Sequence, residues 1–354
     1  MNQGQTAADV YICESCGGKM EYDIKSKMLK CPYCDTSIEI EDDGEVKEYS
    51  FDDVCDVDTA STWDNEVEVV KCESCGAETV VSKEVTAISC AYCGSSHVLS
   101  SKQTAGIKPE GVLPFLIDRN KAEEISKKWF TRRWLAPNDL KVLYQSERLQ
   151  PVYVPYWTYD ADTSSRYRGQ GGENYTVTVE RDGEEVTETR TRWYSVSGHI
   201  DRFFDDVLVN ASNNYNEGLM NSIEPFNTKE LKSYKPEYMS GYSAERYSKD
   251  VKGCFDTAKN KMQTIIKEDA RKQILRSYDE AQVTSVSTNY RNVTYKHVLL
   301  PIWSTYYSYK NKKYQYIING QTGEIKGQTP YSWVKITILI ILAIIVFIII
   351  YNYM

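Results

Sequence analysis

Eight of the ten cysteines fall into four Cys-x-x-Cys pairs: Cys13/Cys16, Cys31/Cys34, Cys72/Cys75 and Cys90/Cys93. The gaps from Cys16 to Cys31 and from Cys75 to Cys90 each enclose 14 residues, and a shift of 59 carries the first set onto the second. Cys-Glu-Ser-Cys-Gly stands at 13–17 and again at 72–76, so the pattern is an internal duplication. Two residues between cysteines let one tight turn aim both sulfurs at a single ion. A 14-residue gap leaves room for a hairpin that returns the second pair to the first. Each copy therefore reads as a four-cysteine zinc ribbon, and the chain as a binder of two zinc ions (Zn2+). Four protein thiolates close the coordination sphere to water, which makes the sites structural rather than catalytic.

The residue after the second cysteine of such a turn often takes positive φ, which glycine adopts without strain. Gly17, Gly76 and Gly94 hold three of these positions, and Asp35, a residue type that tolerates the region, holds the fourth. Structural disulfides would need an oxidising compartment, yet Met1–Val10 has neither the basic start nor the apolar run of a signal peptide. A thioredoxin-type pair needs one Cys-x-x-Cys beside a βαβ unit, not four in tandem. A zinc-thiolate redox sensor would use the same cysteines, and that alternative stays open. Cys55, Cys254 and His97 have no partners at ligand spacing and read as ordinary residues.

Charge then bears on what the ribbons touch. Residues 1–105 carry 8 Lys, no Arg and 21 Asp/Glu, a balance of −13; the whole chain is at −8, so the remainder is at +5. Within 35–68 there are 14 acidic residues and one Lys, which predicts an acidic linker (41–68) between ribbon 1 (10–40) and ribbon 2 (69–100). Nucleic-acid affinity rests on Lys and Arg neutralising phosphates, and Arg makes the common bidentate guanine contact. An acidic, Arg-free front end disfavours nucleic acid and favours protein partners. A membrane-held nucleic-acid binder is kept as an alternative.

Residues 110–330 read as an α+β domain, Tyr-rich and antiparallel, with two main helices. Asn120 and Glu123 make a capping box, and Ala122, Ile125, Trp129 and Phe130 share a face of a helix that should stop near Pro137. A longer helix is predicted over Ala244–Ser277 from apolar residues spaced by threes and fours. Strands are predicted from Pro151 to Trp157, in a hairpin of Tyr175–Glu180 with Glu185–Tyr194, and across Val298–Asn319. Asp205 and Asp206 read as a helix start before Val207. Pro-x-Trp at 155–157 and at 301–303 hints at a second duplication, offset by 146. No P-loop, zinc-protease, hydrolase or dinucleotide signature occurs, and His199 and His297 read as structural, so no catalytic residue is nominated.

The chain ends in a span. Ile336–Met354 holds 19 uncharged residues, nine of them Ile, long enough at ~1.5 Å per residue for a ~30 Å hydrocarbon core. Tyr331, Trp333, Tyr351 and Tyr353 flank it, and Lys326 and Lys335 lie on its N-terminal side. This predicts a single-pass tail anchor over 334–354 in the cell membrane, with the N-terminal domains cytoplasmic.

The tandem ribbons combine with Val154–Tyr159, Phe204–Val209, Glu224-Pro-Phe226, Lys296–Trp303 and Ile318–Gly323 ahead of that terminal span. Together these segments resemble the bacterial TFIIB-type zinc-ribbon, tail-anchored membrane proteins, one of which is encoded beside the phage-shock protein A homologue in Gram-positive bacteria. The resemblance implies a non-enzymatic scaffold in the envelope stress response. It would recruit a stomatin/flotillin-like protein and, through it, phage-shock protein A to the membrane.

Overall fold

The computed structural model describes residues 11–41, 44–54, 68–72, 78–81, 87–89, 96–98, 101–102, 107–138, 149–181, 184–310 and 312–353. The fold is α+β and mainly β. At the front, β1 (Glu21–Asp23), β2 (Met28–Lys30) and β3 (Ser37–Ile38) form a small antiparallel sheet. Short strands follow at β4 (Tyr49–Ser50), β5 (Glu68–Lys71), β6 (Glu78–Val81), β7 (Ala87–Ser89), β8 (Ser96–Val98), β9 (Ser101–Lys102) and β10 (Gly111–Val112). Then come α1 (Arg119–Arg132), β11 (Gln150–Arg181), β12 (Glu184–Asn210) and a one-turn α2 (Glu217–Asn221). The chain continues through β13 (Lys232–Ser233), β14 (Ser243–Glu245), α3 (Val251–Ile274), β15 (Glu280–Tyr309), β16 (Lys312–Asn319), β17 (Ile325–Gly327) and α4 (Trp333–Tyr353).

The three long strands organise the molecule. At ~3.4 Å per residue, the 32, 27 and 30 residues of β11, β12 and β15 each reach roughly 100 Å. β11 lies between the other two, antiparallel to both. Their inner halves are buried, with Val152–Ala161 and Val298–Ile302 in the core. Farther out, α3 covers one face: Ala270 and Ile274 pack with Tyr167, and Val283 and Val286 close the same cluster. The opposite face carries Ser164, Arg166, Arg168, Ser195, Ser197, Ser285 and Ser287 by register. Such polar alternation suits a strand with one solvated face.

The predicted 175–194 hairpin is thus only the tip of a much longer one. Asp205 and Asp206 start no helix; they lie within β12, because Phe204, Leu208 and Val209 are buried in strand pairing. Asp206 sits at φ +53° beside a register shift between Tyr159 and Ala161, and its N–H donates to Asp160 Oδ1 at 2.6 Å. The cap of α1 is Asp118 rather than Asn120, its carboxylate accepting from the Lys121 amide at 2.8 Å. The helix ends at Arg132, ahead of Pro137. α3 begins after Asp250, which caps Gly253 N–H at 2.7 Å, and Ala244 belongs to β14.

The Pro-x-Trp echo has a structural counterpart. β14 runs parallel to β11 at Val152, three residues before Pro155, and β10 runs parallel to β15 at Val298, three before Pro301. The Ala211 amide donates to Pro155 O at 3.0 Å, as the Gly320 amide does to Pro301 O at 2.9 Å. Trp157 Nε1–H donates to Lys249 O, one residue before the cap of α3; Trp303 Nε1–H donates to Ile117 O, one residue before the cap of α1. Each half is a short strand, a helix and a hairpin, and each half's tryptophan holds the other half's helix. Both prolines sit where one neighbouring strand ends and the next begins, so neither removes a ladder bond.

Beyond Lys335 in its first turn, α4 carries no charged residue, and none of Trp333–Tyr351 is buried against the domain. Its 21 residues span about 31 Å. This is one helix long and apolar enough to cross a membrane.

Candidate metal centre

In the small front sheet, two knuckle turns face each other. Cys13 N–H donates to Gly18 O and Gly17 N–H to Cys13 O, both at 2.8 Å; Cys31 N–H donates to Thr36 O at 2.9 Å and Asp35 N–H to Cys31 O at 3.0 Å. Gly17 has φ +74° and Asp35 φ +61°, as the turn reading requires. Gly18 admits the Tyr33 ring so closely that a Cβ there would lie 2.5 Å from it. Met20 and Leu29 form the apolar floor with Cys13 and Cys31.

The four sulfurs of Cys13, Cys16, Cys31 and Cys34 all lie within 4.8 Å of one another. Cys13–Cys34 is 3.4 Å and Cys16–Cys31 is 3.5 Å, too long for disulfides. Zinc–sulfur bonds of about 2.3 Å would set tetrahedral sulfurs about 3.8 Å apart, so the donor set fits that ion. Burial opposes ionisation of Cys13, yet the Cys34 hydrogen bond and the Cys16 and Ser15 amides outweigh it and bring the thiol down to about 6. The Gly18 amide favours the Cys16 thiolate, but hydrogen bonds with Cys34 and Cys31 prevail and push it up to about 12. Thr36, through hydroxyl and amide, lowers Cys34. Protons are thus shared unevenly among crowded sulfurs, the situation a divalent cation resolves by displacing them. Cys13 and Cys31 are buried, and Cys16 and Cys34 are exposed.

The second predicted set is not assembled among the described residues. Cys72 is buried in a core cluster with Val154 and Ile302; Cys75, Cys90 and Cys93 lie outside the described residues, as do Gly76 and Gly94. One four-cysteine group is therefore in place where two separate ribbons were expected.

The front sheet is fastened to the β domain. Tyr22 N–H donates to Ser240 O at 3.1 Å, Ser240 Oγ donates to Met20 O at 2.8 Å, and the Tyr22 ring meets Tyr238 edge-on at 5.4 Å. The next segment is fastened too. Phe51 packs on Phe255 at 4.4 Å, and Val54 is buried in the same cluster. Glu48, from the acidic stretch, reaches Lys296 Nζ at 2.7 Å, and Asp206 approaches the same ammonium at 2.7 Å.

Asp160 completes this network. Burial and the adjacent Glu48 push its carboxyl up to about 7. Glu48, Asp160 and Asp206 lie close enough to hold a cation, and the Lys296 ammonium already takes that place. No spacing in the sequence marked this network, because its members come from four distant segments. The only local signal was a lysine beside the otherwise apolar 298–302 run.

His297 is buried, hydrogen-bonded through Nδ1 to Ile107 O at 3.0 Å, and desolvation lowers it to about 4, so it stays neutral. His199 lies between Ser164 and Asp201 at 3.3 and 3.0 Å. Both neighbours meet the same nitrogen, Nε2, so this is no serine–histidine–aspartate relay, which needs both ring nitrogens.

No family model matches the chain, and no solved structure matches it. The chain is similar to an uncharacterized protein, YdjG, of Bacillus subtilis (strain 168), with 27% identity over 230 residues. The match covers 65% of this chain and 66% of that protein, so it spans slightly under two thirds of the relative's length.

Proposed function

We propose that the protein is a non-enzymatic, zinc-organised scaffold, held in the membrane by α4, that presents its front sheet to cytoplasmic proteins. The observation that carries this reading is a closed cluster of four cysteines fastened to a β domain whose chain continues into an exposed apolar helix. Four thiolates supply shape rather than reactivity. The expected content is two Zn2+, the second on Cys72, Cys75, Cys90 and Cys93. The front sheet leaves apolar side chains outward: Ile12, Tyr33 and Ile38 are all exposed. Following the family resemblance, the expected partners are a stomatin/flotillin-like protein and, through it, a phage-shock protein A homologue.

Affinity purification from detergent-solubilised membranes tests this. Removing residues 1–105 would uncover the core around Tyr22 and Phe51, so the better variant is Ile12→Glu/Tyr33→Ala/Ile38→Glu, which keeps the cysteines. It should retain zinc and lose the partner. Partner capture unchanged in this variant would count against the front sheet as the docking face.

The exposed Cys16 and Cys34 sulfurs favour one second reading, a zinc-thiolate stress sensor. Oxidation there would release the metal and loosen the knuckles. Peroxide-driven zinc release from the folded chain, followed with a chelating dye, tests it.

A further inference from the structure

Three separate segments meet where α4 leaves the domain. Lys335, in the first turn of α4, extends its ammonium to Trp134 O at 2.9 Å, Ala136 O at 2.7 Å and Asn138 Oδ1 at 2.8 Å. The Ser332 amide donates to Leu135 O at 2.8 Å. The loop after α1 is thereby tied to the start of the apolar helix. The β15–β16 hairpin joins them: Phe130 meets the Tyr307 ring at 5.6 Å, and Tyr307 Oη donates to Gln328 O at 2.7 Å.

The chemistry of this end is distinctive. Residues 125–138, 306–316 and 325–354 contain no Asp or Glu, in a chain with 50 of them. Arg132, Arg133, Lys310 and Lys312 are exposed here, and among the described residues none has a carboxylate partner. Trp134 is 58% exposed, beside Tyr331 at 65% and Trp333 at 79%. Amphipathic aromatics and cations without carboxylate partners, gathered at one end of an apolar helix, match a membrane interface, where rings settle at headgroup level and basic groups meet anionic lipid.

The geometry points to a second membrane contact: the loop after α1 and the β15–β16 turn form a basic, aromatic collar that docks on anionic lipid headgroups around the span. This rests on reading α4 as a membrane span. The collar holds the domain, and with it the front sheet, at a set attitude to the bilayer instead of letting it swing on the 328–332 segment. The loop carries this role because Lys335 satisfies its carbonyls, while Arg132 and Arg133, the latter over the Trp129 ring at 4.6 Å, stay exposed without a carboxylate partner among the described residues.

The test uses the full chain in nanodiscs of phosphatidylcholine with or without a quarter phosphatidylglycerol. Quenching of Trp134 by lipids brominated near the headgroup is isolated as the difference between the chain and its Trp134→Phe variant. Insertion is read separately, by resistance to carbonate extraction. The expected result is Trp134 quenching several-fold stronger in the anionic discs, lost in Arg132→Glu/Arg133→Glu/Lys310→Glu/Lys312→Glu and kept when both arginines become lysine. An inserted chain whose Trp134 quenching ignores lipid charge and the four substitutions overturns the collar while leaving the anchor standing. Carbonate extraction of the chain overturns the anchor reading, and the collar with it.

Discussion

At the scale of single residues, the sulfur cluster and the buried lysine make opposite demands. The four-cysteine group gathers negative charge for an ion to neutralise, whereas Lys296 is the positive centre that Glu48 and Asp206 already neutralise. Cys16→Ser should therefore remove one zinc per chain in native mass spectrometry of reduced protein; on the proposed two-ion content, any zinc held by the second cysteine set should stay in place. Simultaneous loss of both ions would mean that the sets interleave. Lys296→Met should lower stability by about 1–3 kcal/mol in urea unfolding, because it removes the buried ammonium that half-buried Asp206 and the more exposed Glu48 share, and adding Asp206→Asn should recover part of the loss. The cysteine cluster was legible from spacing because its two knuckles are local turns. The Lys296 network was not, because Glu48 and Asp206 approach it only once β4 and β12 are placed.

Elements add a pH dependence and a symmetry. Asp160 is raised to about 7 by burial and by Glu48, against an unfolded value near ~3.9. The folded state then holds a proton the unfolded chain releases, so its contribution is full below about pH 4 and declines as pH rises through 7. Thermal unfolding should show a midpoint a few degrees higher at pH 5.5 than at pH 8, and Asp160→Asn should flatten that slope. A wild-type midpoint that rises over this range would refute the assignment. The paired helices give a second expectation. Trp157→Phe and Trp303→Phe each leave a helix-entry carbonyl without its indole donor, and each should cost about 1–3 kcal/mol, similar in size because the two sites are equivalent. α3 was visible in the sequence as an apolar stripe at helical spacing. The long strands were not, because buried Thr163 and Ser165, with Gly169 and Gly171 beyond them, put small and polar residues on the covered face too and blur the alternation, and because Asp205-Asp206 imitates a helix start.

For the whole molecule, the front sheet, the β domain and α4 form one connected path through Tyr22–Ser240 and Lys335–Trp134. A chain ending at Gln328 should leave the membrane fraction while keeping its zinc; membrane sedimentation of that truncation would contradict a single anchor in α4. Of the acidic linker predicted over 41–68, Glu48 to Val54 lie against β15 and α3, which makes that part of it a strap on the β domain. The scaffold reading then makes a direct demand on zinc, because the metal shapes the face that the strap and Tyr22 hold in place. The most direct measurement is flotation of vesicles carrying the full chain, mixed with a purified stomatin/flotillin-like protein and a phage-shock protein A homologue. Zinc-loaded vesicles should carry both proteins upward, whereas vesicles with the Cys13→Ser/Cys16→Ser chain should carry neither. Equal flotation on both, or recruitment of oligonucleotides at physiological salt in place of either protein, would contradict the account.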